Sequence, residues 1–381
     1  MKHNPLLCIL PPYMLDNIQE NGTPEQQQKA TENALMSAQI REQREEAPSE
    51  PPPDLAGVTA ALQRRVYTAN NGSSLPGSLV RAEGAPPSGD AAVDEAYDGA
   101  GATYNLYQQA YQRDSIDNAG MILDSTVHYQ RGYDNAFWNG QQMVYGDGDE
   151  DLPESQRLFN RFTIALDVIG HELTHGVTQF TANLVYSFQP GALNESFSDV
   201  FGSLVKQRLR GQTADQADWI IGEGLFTSNV NGVGIRSMKN PGTAYDDPVL
   251  GKDPQPAHMD DYVNTSSDNG GVHINSGIPN KAFYLTAVEI GGFAWEKAGR
   301  IWYVALRDHI QPTSSFQQAA SFIYTVAGDL YGANSPEQLA VVNGWAGVGI
   351  TVGSTTPQPP PEENPGCLPS LMGLFRPSGR S

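Results

Sequence analysis

The feature that most constrains this chain is the pair His171 and His175, with Glu172 beside the first histidine. Residues four apart lie on one face of a helix, so a helix here would present both imidazoles together. Two neutral imidazoles in that arrangement can bind one Zn²⁺, and Glu172 can act on the attacking water without ligating the metal. An ordinary exposed helix with two histidines would show the same letters. Taken alone, the motif leaves both interpretations open.

A second predicted helix, residues 191–202, supplies two more carboxylates. Glu195 is a candidate third ligand, because three protein ligands leave the open position that is typical of catalytic zinc. Asp199 lies one turn beyond and can accept the free ring N–H of a ligating histidine, which would fix its tautomer. A solvated helix carboxylate is the alternative for Asp199. Together the two segments predict a hydrolytic zinc site.

Six blocks of the sequence follow the pattern of one family, and they extend from about residue 66 to about residue 352. Besides the two helices above, they are residues 135–140, 143–148, 235–238 and 268–277. In these blocks the chain resembles the thermolysin family of zinc metalloendopeptidases, and in particular its protealysin-like branch, which has a short N-terminal propeptide. The resemblance implies an α+β fold of two lobes, with zinc in the cleft between a mostly β N-terminal lobe and a helical C-terminal lobe.

The resemblance also implies catalytic roles for four residues. Glu172 would be the general base that takes the proton of water and later delivers it to the leaving nitrogen. Tyr186 and His273 would donate hydrogen bonds to the developing oxyanion, and Asp268 would orient His273. A lone histidine in a glycine-rich loop is otherwise often structural, so His273 depends on its neighbours for this assignment.

Substrate-binding residues are likewise implied by resemblance. Asn135 and the backbone of Ala136 match the edge that pairs with an extended peptide, and Arg236 matches the arginine that binds a substrate carbonyl. A purely structural ion pair is the alternative for Arg236. The family's apolar pocket for the residue after the scissile bond implies cleavage before Leu, Phe, Ile or Val, and its positions are occupied here by Phe159, Phe162, Val168, Ile221 and Ile235.

The N-terminal region is similar to a short inhibitory propeptide. A rigid, apolar, extended segment is expected at residues 11–15, and a polar helix is expected from Thr23 to about Glu46, followed by a proline linker at 48–53. A disordered tail with a chance proline pair is the alternative. We expect the extended segment to lie in the cleft of the precursor, and it consists of Pro11, Pro12, Tyr13, Met14 and Leu15. We expect the enzyme itself to remove residues 1–65 by a cut near the Arg65–Val66 bond.

The rest of the chain divides by pattern. Residues 66–166 show short β-rich runs with one helix near residues 92–112, and this stretch is the predicted N-terminal lobe. Residues 167–352 form the predicted C-terminal lobe, with amphipathic helices expected at residues 279–290, 295–309, 314–331 and 336–345. The proline-rich tail, residues 353–381, is predicted to be disordered.

Composition limits partners and location. A net charge of −20 argues against nucleic acid or an anionic membrane as partner, so the expected partners are protein and peptide substrates and the chain's own propeptide. No run reaches the roughly 20 apolar residues that span a bilayer. The apolar run before Pro11 is too short for a Sec signal, so we expect release by another route, or otherwise a cytoplasmic protein. Two cysteines exclude a disulfide scaffold. The sequence leaves the oligomeric state open.

Calcium is doubtful at the family's paired calcium site. By resemblance, Asp167, Asp218 and Glu223 are retained there, but Lys206 and Ile220 stand where two further carboxylates belong. An ammonium group cannot ligate Ca²⁺ and could instead neutralise the remaining carboxylates. We therefore expect little or no calcium dependence.

Two other functions remain as alternatives. A zinc aminopeptidase also uses a two-histidine helix and a distal glutamate, but it should carry a motif for the free amine, and none is evident. A catalytically silent binding module would retain the fold, but the presence of Glu172, Tyr186 and His273 argues against it. The favoured prediction is a neutral zinc endopeptidase made as a self-inhibited precursor.

Overall fold

The computed structural model describes residues 7–45 and 61–352. The predicted linker at 48–53 and the predicted tail at 353–381 lie outside them. The helices are α1 (Pro12–Asn21), α2 (Pro24–Glu45), α3 (Ala91–Tyr111), α4 (Leu166–Gln179), α5 (Phe188–Arg210), α6 (Asp268–Asn275), α7 (Gly277–Ile290), α8 (Ala298–Asp308), α9 (Phe316–Tyr331) and α10 (Pro336–Ala346). The strands are β1 (Leu7–Cys8), β2 (Arg64–Thr68), β3 (Ser78–Ala82), β4 (Leu123–Val127), β5 (Ala136–Trp138), β6 (Met143–Tyr145), β7 (Ile220–Ile221), β8 (Arg236–Ser237), β9 (Asp246–Asp247) and β10 (Gly251–Lys252).

One six-stranded sheet organises the N-terminal lobe, in the order β1-β5-β6-β4-β2-β3. Strands β2, β4 and β6 are parallel, whereas β3, β5 and β1 each run antiparallel to their neighbour. The N-terminal segment itself supplies β1, which pairs Leu7 with Trp138 and Cys8 with Phe137. The predicted inhibitory segment is therefore built into the sheet beside strand β5.

Two long helices, α4 and α5, pack closely together and form the base of the cleft. Their close approach depends on Gly202, because a Cβ there would lie 2.4 Å from the carbonyl oxygen of Asp167 and 2.9 Å from the amide nitrogen of His171. Gly170 faces it across the contact, where an added Cβ would lie 3.0 Å from the Cα of Gly202. With no side chain between them, the backbones come near enough for side chains on both helices to reach one point.

The C-terminal lobe is helical, as predicted. Helices α7, α8, α9 and α10 fall on the four amphipathic segments that the sequence pattern indicated, and α3 matches the single helix expected in the first lobe. Ser315 and Gln318 form a reciprocal capping box at the start of α9. Within the described residues, no helix is both long and apolar enough to cross a bilayer.

The prediction of an extended segment at residues 11–15 was wrong. Only Pro11 is extended, with φ −64° and ψ 145°, and helix α1 begins at Pro12. Proline is favoured in the first turn of a helix because its fixed φ suits that turn and its missing N–H has no partner there anyway. Met14 and Leu15 are instead buried on one face of α1. The strand lies earlier in the segment, at Leu7–Cys8.

The next helix follows its predicted start. The Thr23 amide donates to the Gln26 side chain at 2.8 Å, and the Gln26 amide donates to the Thr23 hydroxyl at 3.4 Å.

The structure does not favour the expected cleavage point. The Arg65–Val66 bond lies inside β2, which is paired on one side with β3 and on the other with β4. A protease binds its substrate as a free extended strand, so this bond is not accessible in the folded chain.

Candidate zinc centre and peptide-binding cleft

Helix α4 holds His171 and His175 side by side, with ring centroids 4.6 Å apart. Each ring is fixed through its Nδ1 atom by a residue of α5. For His171 the partner is Asp199, whose Oδ1 lies 2.8 Å away. For His175 the partner is Asn194, at 2.9 Å. Both imidazoles are therefore oriented with Nε2 towards the same point, which is the arrangement that supporting hydrogen bonds give to metal-ligating histidines.

Two carboxylates face these nitrogens. The donor atoms of His171, Glu172 and His175 all lie within 4.8 Å of one another. Glu195, from α5, places one oxygen 3.4 Å from each Nε2. Either glutamate could be a ligand by distance alone. Glu172 is, however, tied back to strand β5, because its Oε2 accepts the Trp138 amide at 3.0 Å, so Glu195 fits the third ligand position better.

The hydrogen-bond pattern tests whether a metal fits. Nε2 of His171 and of His175, Oε2 of Glu195 and Oε1 of Glu172 are all buried, and none has a hydrogen-bond partner within the described part of the chain. Orphaned buried polar atoms are costly unless a ligand satisfies them. Two imidazole nitrogens and a carboxylate oxygen are a donor set that Zn²⁺ prefers. The residues present therefore fit a zinc ion.

Burial and neighbouring charges set the ionisation of this cluster. Burial raises the pKa of Glu172 to about 8 and lowers the pKa of His175 to about 3. Burial also lowers the pKa of His171, but the neighbouring carboxylates of Asp199 and Glu195 outweigh it and bring the value to about 9. A carboxyl group whose pKa lies near neutrality is suited to both accepting and donating a proton.

Arg236 lies behind the cluster and contacts both a protein carboxylate and a peptide carbonyl. Its Nε and Nη2 donate to the two oxygens of Asp199, each at 2.8 Å. Its Nη1 donates to the carbonyl of Ile9 at 3.3 Å. Against the effect of burial, the Arg236 guanidinium holds the pKa of Asp199 at about 2. Arg236 can therefore form a structural ion pair and bind a peptide carbonyl at the same time.

Tyr186, His273 and Asp268 line the other side of the cluster. The Tyr186 hydroxyl donates to Oε1 of Glu195 and lies 3.2 Å from Nε2 of His273. Asp268 accepts from Nδ1 of His273 at 2.6 Å and from its backbone N–H at 2.8 Å. Burial opposes the charged ring, but Glu195 and Asp268 raise the pKa of His273 to about 9, so both ring nitrogens can donate.

The N-terminal segment lies along the edge that the resemblance assigns to substrate, through residues that the sequence did not single out. The Ile9 amide donates to the Ala136 carbonyl at 3.3 Å. The Leu10 amide donates to the side-chain oxygen of Asn135 at 3.0 Å. One residue earlier, the Cys8 carbonyl lies 3.1 Å from Nε2 of His273. The Cys8–Ile9 peptide therefore lies against the candidate catalytic groups.

The five predicted pocket residues are all buried in the same core as Ile9, which is itself 0% exposed. Phe159 and Phe162 pack with ring centroids 6.0 Å apart. Ile235 is joined to Ile221 by a backbone hydrogen bond of 2.8 Å, immediately before Arg236. The five are Phe159, Phe162, Val168, Ile221 and Ile235.

Several site residues were missed in the sequence. Asn194 holds His175 but resembled any helix asparagine, and Trp138 was recognised only as part of a sequence block. Ile9 and Leu10 belong to the apolar run that is too short for a Sec signal. Its position directly before two prolines was the available signal, because the residue before a proline is biased towards extended backbone.

At the position where the resemblance implies a paired calcium site, the ammonium of Lys206 lies among the remaining oxygen atoms. It is 2.9 Å from Asp167, 2.9 Å from Asp218 and 3.8 Å from Glu223. It also donates to the Ile220 carbonyl at 2.6 Å. Burial opposes the charge on Lys206, but Asp167 and Asp218 outweigh it and raise its pKa.

Comparison with known proteins agrees with this geometry. The chain matches the thermolysin metallopeptidase catalytic domain over residues 54–179 and the thermolysin metallopeptidase α-helical domain over residues 182–350. It is 54% identical to an extracellular metalloprotease of Pectobacterium carotovorum subsp. carotovorum, covering 83% of this chain and 88% of the relative. It is 47% identical to protease PrtS of Photorhabdus sp. strain Az29, covering 92% and 94% of the two chains.

A solved structure shows the same architecture. The precursor of protealysin, a metalloproteinase from Serratia proteamaculans, superposes with a TM-score of 0.81 at 49% identity, covering 91% of this chain and 100% of that one. Because the two domain matches together cover more than half of the chain, this protein belongs to the thermolysin family of metallopeptidases and is a zinc-dependent endopeptidase.

Proposed function

We propose that this chain is the latent precursor of an endopeptidase that cleaves before bulky apolar residues, and that its N-terminal segment blocks its own cleft. The observation that carries the proposal is the position of β1. Its Cys8 carbonyl faces His273 at 3.1 Å, and the following residue, Ile9, is held by Ala136 and Arg236. This is how a peptide substrate would be held across the candidate catalytic groups.

His171, His175 and Glu195 would hold the zinc ion, which when bound supplies Lewis acidity to polarise a carbonyl and acidify water. Glu172 would remove the proton of the attacking water with Oε1, while Oε2 remains fixed by the Trp138 amide. The same carboxyl group would then pass the proton to the leaving nitrogen.

Tyr186 and His273 would stabilise the negative charge that develops on the carbonyl oxygen. The Cys8 carbonyl marks where a substrate carbonyl would lie, 3.1 Å from Nε2 of His273. Asp268 holds the ring in place through two hydrogen bonds. Because donors fixed in a buried site need little reorganisation during the reaction, they favour the transition state over the bound substrate.

The proposed specificity rests on Ile9. It follows the carbonyl that faces His273, and its side chain is fully buried together with Phe159, Phe162 and Val168. A pocket of aromatic and aliphatic side chains rejects charged residues, because burying an unpaired charge is costly. We therefore expect Ile, Leu, Val and Phe to be preferred after the scissile bond.

Release of the segment requires a cut between α2, which ends at Glu45, and β2, which begins at Arg64. This interval contains Leu55, Val58 and Leu62, each acceptable after a cut by such an enzyme. We propose that the enzyme makes this cut itself, in place of the Arg65–Val66 bond. The extracellular metalloprotease of Pectobacterium carotovorum, to which the chain is similar, supports the proposal that this enzyme acts outside the cell. Export by a route other than Sec stays a prediction.

The test compares full-length wild type with full-length Glu172→Gln at neutral pH. The wild type should shorten to a species whose N-terminus lies between residues 46 and 64, while Glu172→Gln stays intact until a trace of active enzyme is added. Casein hydrolysis should rise as the shorter species accumulates and stop with a zinc chelator. Trimming of clean Glu172→Gln at the same rate would show that another protease is responsible.

A further inference from the structure

A lysine of the N-terminal segment is buried in a ring of oxygen atoms belonging to the catalytic body. Lys29, on α2, is 7% exposed. Its ammonium lies 2.8 Å from Asp149, 2.8 Å from Asp151 and 3.5 Å from Asp134. It also donates to the Gly148 carbonyl at 3.0 Å. Four oxygen atoms from three carboxylates and one backbone carbonyl thus surround one positive charge.

This ring is a built site rather than a chance group of acids. Asp149 is 2% exposed, and its Oδ2 accepts the backbone N–H groups of Leu158 and Phe159 at 2.7 and 2.8 Å, so Oδ1 is fixed towards the lysine. Asp134 is 4% exposed, and its Oδ1 has no hydrogen-bond donor within the described residues although it points to the ammonium. An oriented, unsatisfied, buried oxygen calls for a cation.

The cation at this site belongs to the part of the chain that would be removed. Lys29 lies on the N-terminal side of the proposed cut, whereas the carboxylates lie on the other side. When the segment leaves, the three carboxylates lose the ammonium at the centre of the ring, while Arg131 stays 3.9 Å from Asp151. The side that α2 covered opens to water. Carboxylates so close together favour uptake of another cation.

We propose that Asp134, Asp149 and Asp151, with the Gly148 carbonyl, form a Ca²⁺ site that Lys29 fills in the precursor and that opens when the N-terminal segment is removed. This inference rests on the proposed processing. Hard oxygen donors with a formal charge of −3 suit Ca²⁺, which is bound at about 2.3–2.6 Å by carboxylates, carbonyls and water. Three of the four oxygens are already within 3.0 Å of the central charge.

Asp134 must move to bind Ca²⁺, and removal of the N-terminal segment would allow this movement. Asp134 must approach by roughly 1 Å to reach a calcium–oxygen distance. In the precursor it is held back by Asn33 of α2, which donates to its Oδ2 at 3.0 Å and accepts its backbone N–H at 3.1 Å. Asn33 leaves together with Lys29. Asp151 is partly exposed, with 28% of its side chain accessible, and is free to turn.

The site lies beside the peptide-binding residues. Asp134 directly precedes Asn135, and Asp149 fixes the backbone N–H of Phe159 in the proposed specificity pocket. Ca²⁺ would therefore stabilise this part of the cleft only after the inhibitory segment has gone. It is separate from the family's paired calcium site, where Lys206 belongs to the catalytic body and stays.

The test measures Ca²⁺ binding by calorimetry in zinc-loaded, inactive full-length protein, which needs no processing. Glu172→Gln should show no site, whereas Lys29→Ala in the Glu172→Gln background should bind one equivalent with a Kd at or below about 1 mM. Lys252→Ala, which removes an exposed lysine instead, should behave as Glu172→Gln does. Adding Asp134→Asn and Asp151→Asn to the Lys29→Ala protein should abolish binding.

Processed wild-type enzyme gives the second measurement. It should bind one equivalent of Ca²⁺ and show a higher Tm with Ca²⁺, and Asp134→Asn/Asp151→Asn should lose both effects. No binding by correctly folded Lys29→Ala/Glu172→Gln and by the processed enzyme would overturn the proposal, as would equal binding by Glu172→Gln. If Lys29→Ala/Glu172→Gln binds but the wild type never shortens, the site stands and the proposed self-processing fails.

Discussion

The carbonyl oxygen of Cys8 lies 3.1 Å from Nε2 of His273, although the two residues are 265 positions apart in the chain. The contact places a peptide group of the N-terminal segment where a substrate carbonyl would be polarised. The next residue, Ile9, then enters the buried core. In the precursor that we propose, latency depends on a short strand that binds as a substrate would.

Replacing Ile9 with Asp should weaken latency. The side chain is 0% exposed, so a carboxylate there would be buried without a partner, at a cost of several kcal/mol. Freshly purified full-length Ile9→Asp should hydrolyse a blocked internal peptide at least 10-fold faster than the wild-type precursor. Ile9→Val, which keeps an apolar side chain, is the matched control and should remain latent. An Ile9→Asp precursor as inactive as the wild type would show that β1 does not close the cleft.

Replacing Lys206 with Glu should create calcium dependence at the paired site. The variant sets a fourth carboxylate against Asp167, Asp218 and Glu223, and loss of the buried ammonium should cost about 3–5 kcal/mol without calcium. Thermal unfolding of the inactive precursor should then show a large rise in Tm with Ca²⁺. Lys206→Met, which leaves only the three carboxylates, should be destabilised and show a smaller rise in Tm with Ca²⁺ than Lys206→Glu, and wild type should show little response. A Lys206→Glu protein that ignores Ca²⁺ would refute this account of the site.

His128 gives a prediction about pH and stability. Its two ring nitrogens contact Asp147 at 2.8 Å and Asp90 at 2.9 Å, and the hydrogen bond to Asp147 is the main cause that raises its pKa to about 9. A raised pKa means that the stabilising charge is fully present below the unfolded value of about 6.5 and is lost as pH rises through about 9.

The free energy of unfolding of wild type should therefore exceed that of His128→Gln by on the order of 1–2 kcal/mol at pH 6, since this site is partly solvent-screened. The difference should shrink as pH rises from 7 to 10. Urea denaturation of the inactive precursor across this range measures it. A difference that is constant with pH would mean that the His128 charge contributes nothing.

The sequence was sufficient to predict what is local. The spacing of His171 and His175 fixes both rings on one helix face, and the same periodicity predicted helices α7 to α10 at their observed places. The proposal of Glu195 as third zinc ligand required only a second predicted helix that carries a carboxylate. Such features depend on residues within one or two helical turns of each other. The local sequence pattern therefore carries the information needed to predict them.

Features that depend on distant partners could not be predicted in this way. Pro11 and Pro12 fit an extended segment and a helix start equally well, and the choice is made by packing of Met14 and Leu15 against the body. Lys29 looked like a solvated residue of a polar helix because its acceptor at Gly148 is 119 positions away. Likewise, nothing near Arg65 shows that its strand is paired on both sides.

Turnover and zinc content of processed Glu172→Gln test the central claim most directly. The substitution keeps His171, His175 and Glu195 but removes the base, so zinc should remain at one equivalent while kcat falls by at least about 1,000-fold. Glu195→Ala is the matched comparison and should lose zinc as well as activity. Full zinc with near-normal hydrolysis of a blocked internal peptide by Glu172→Gln would contradict the account.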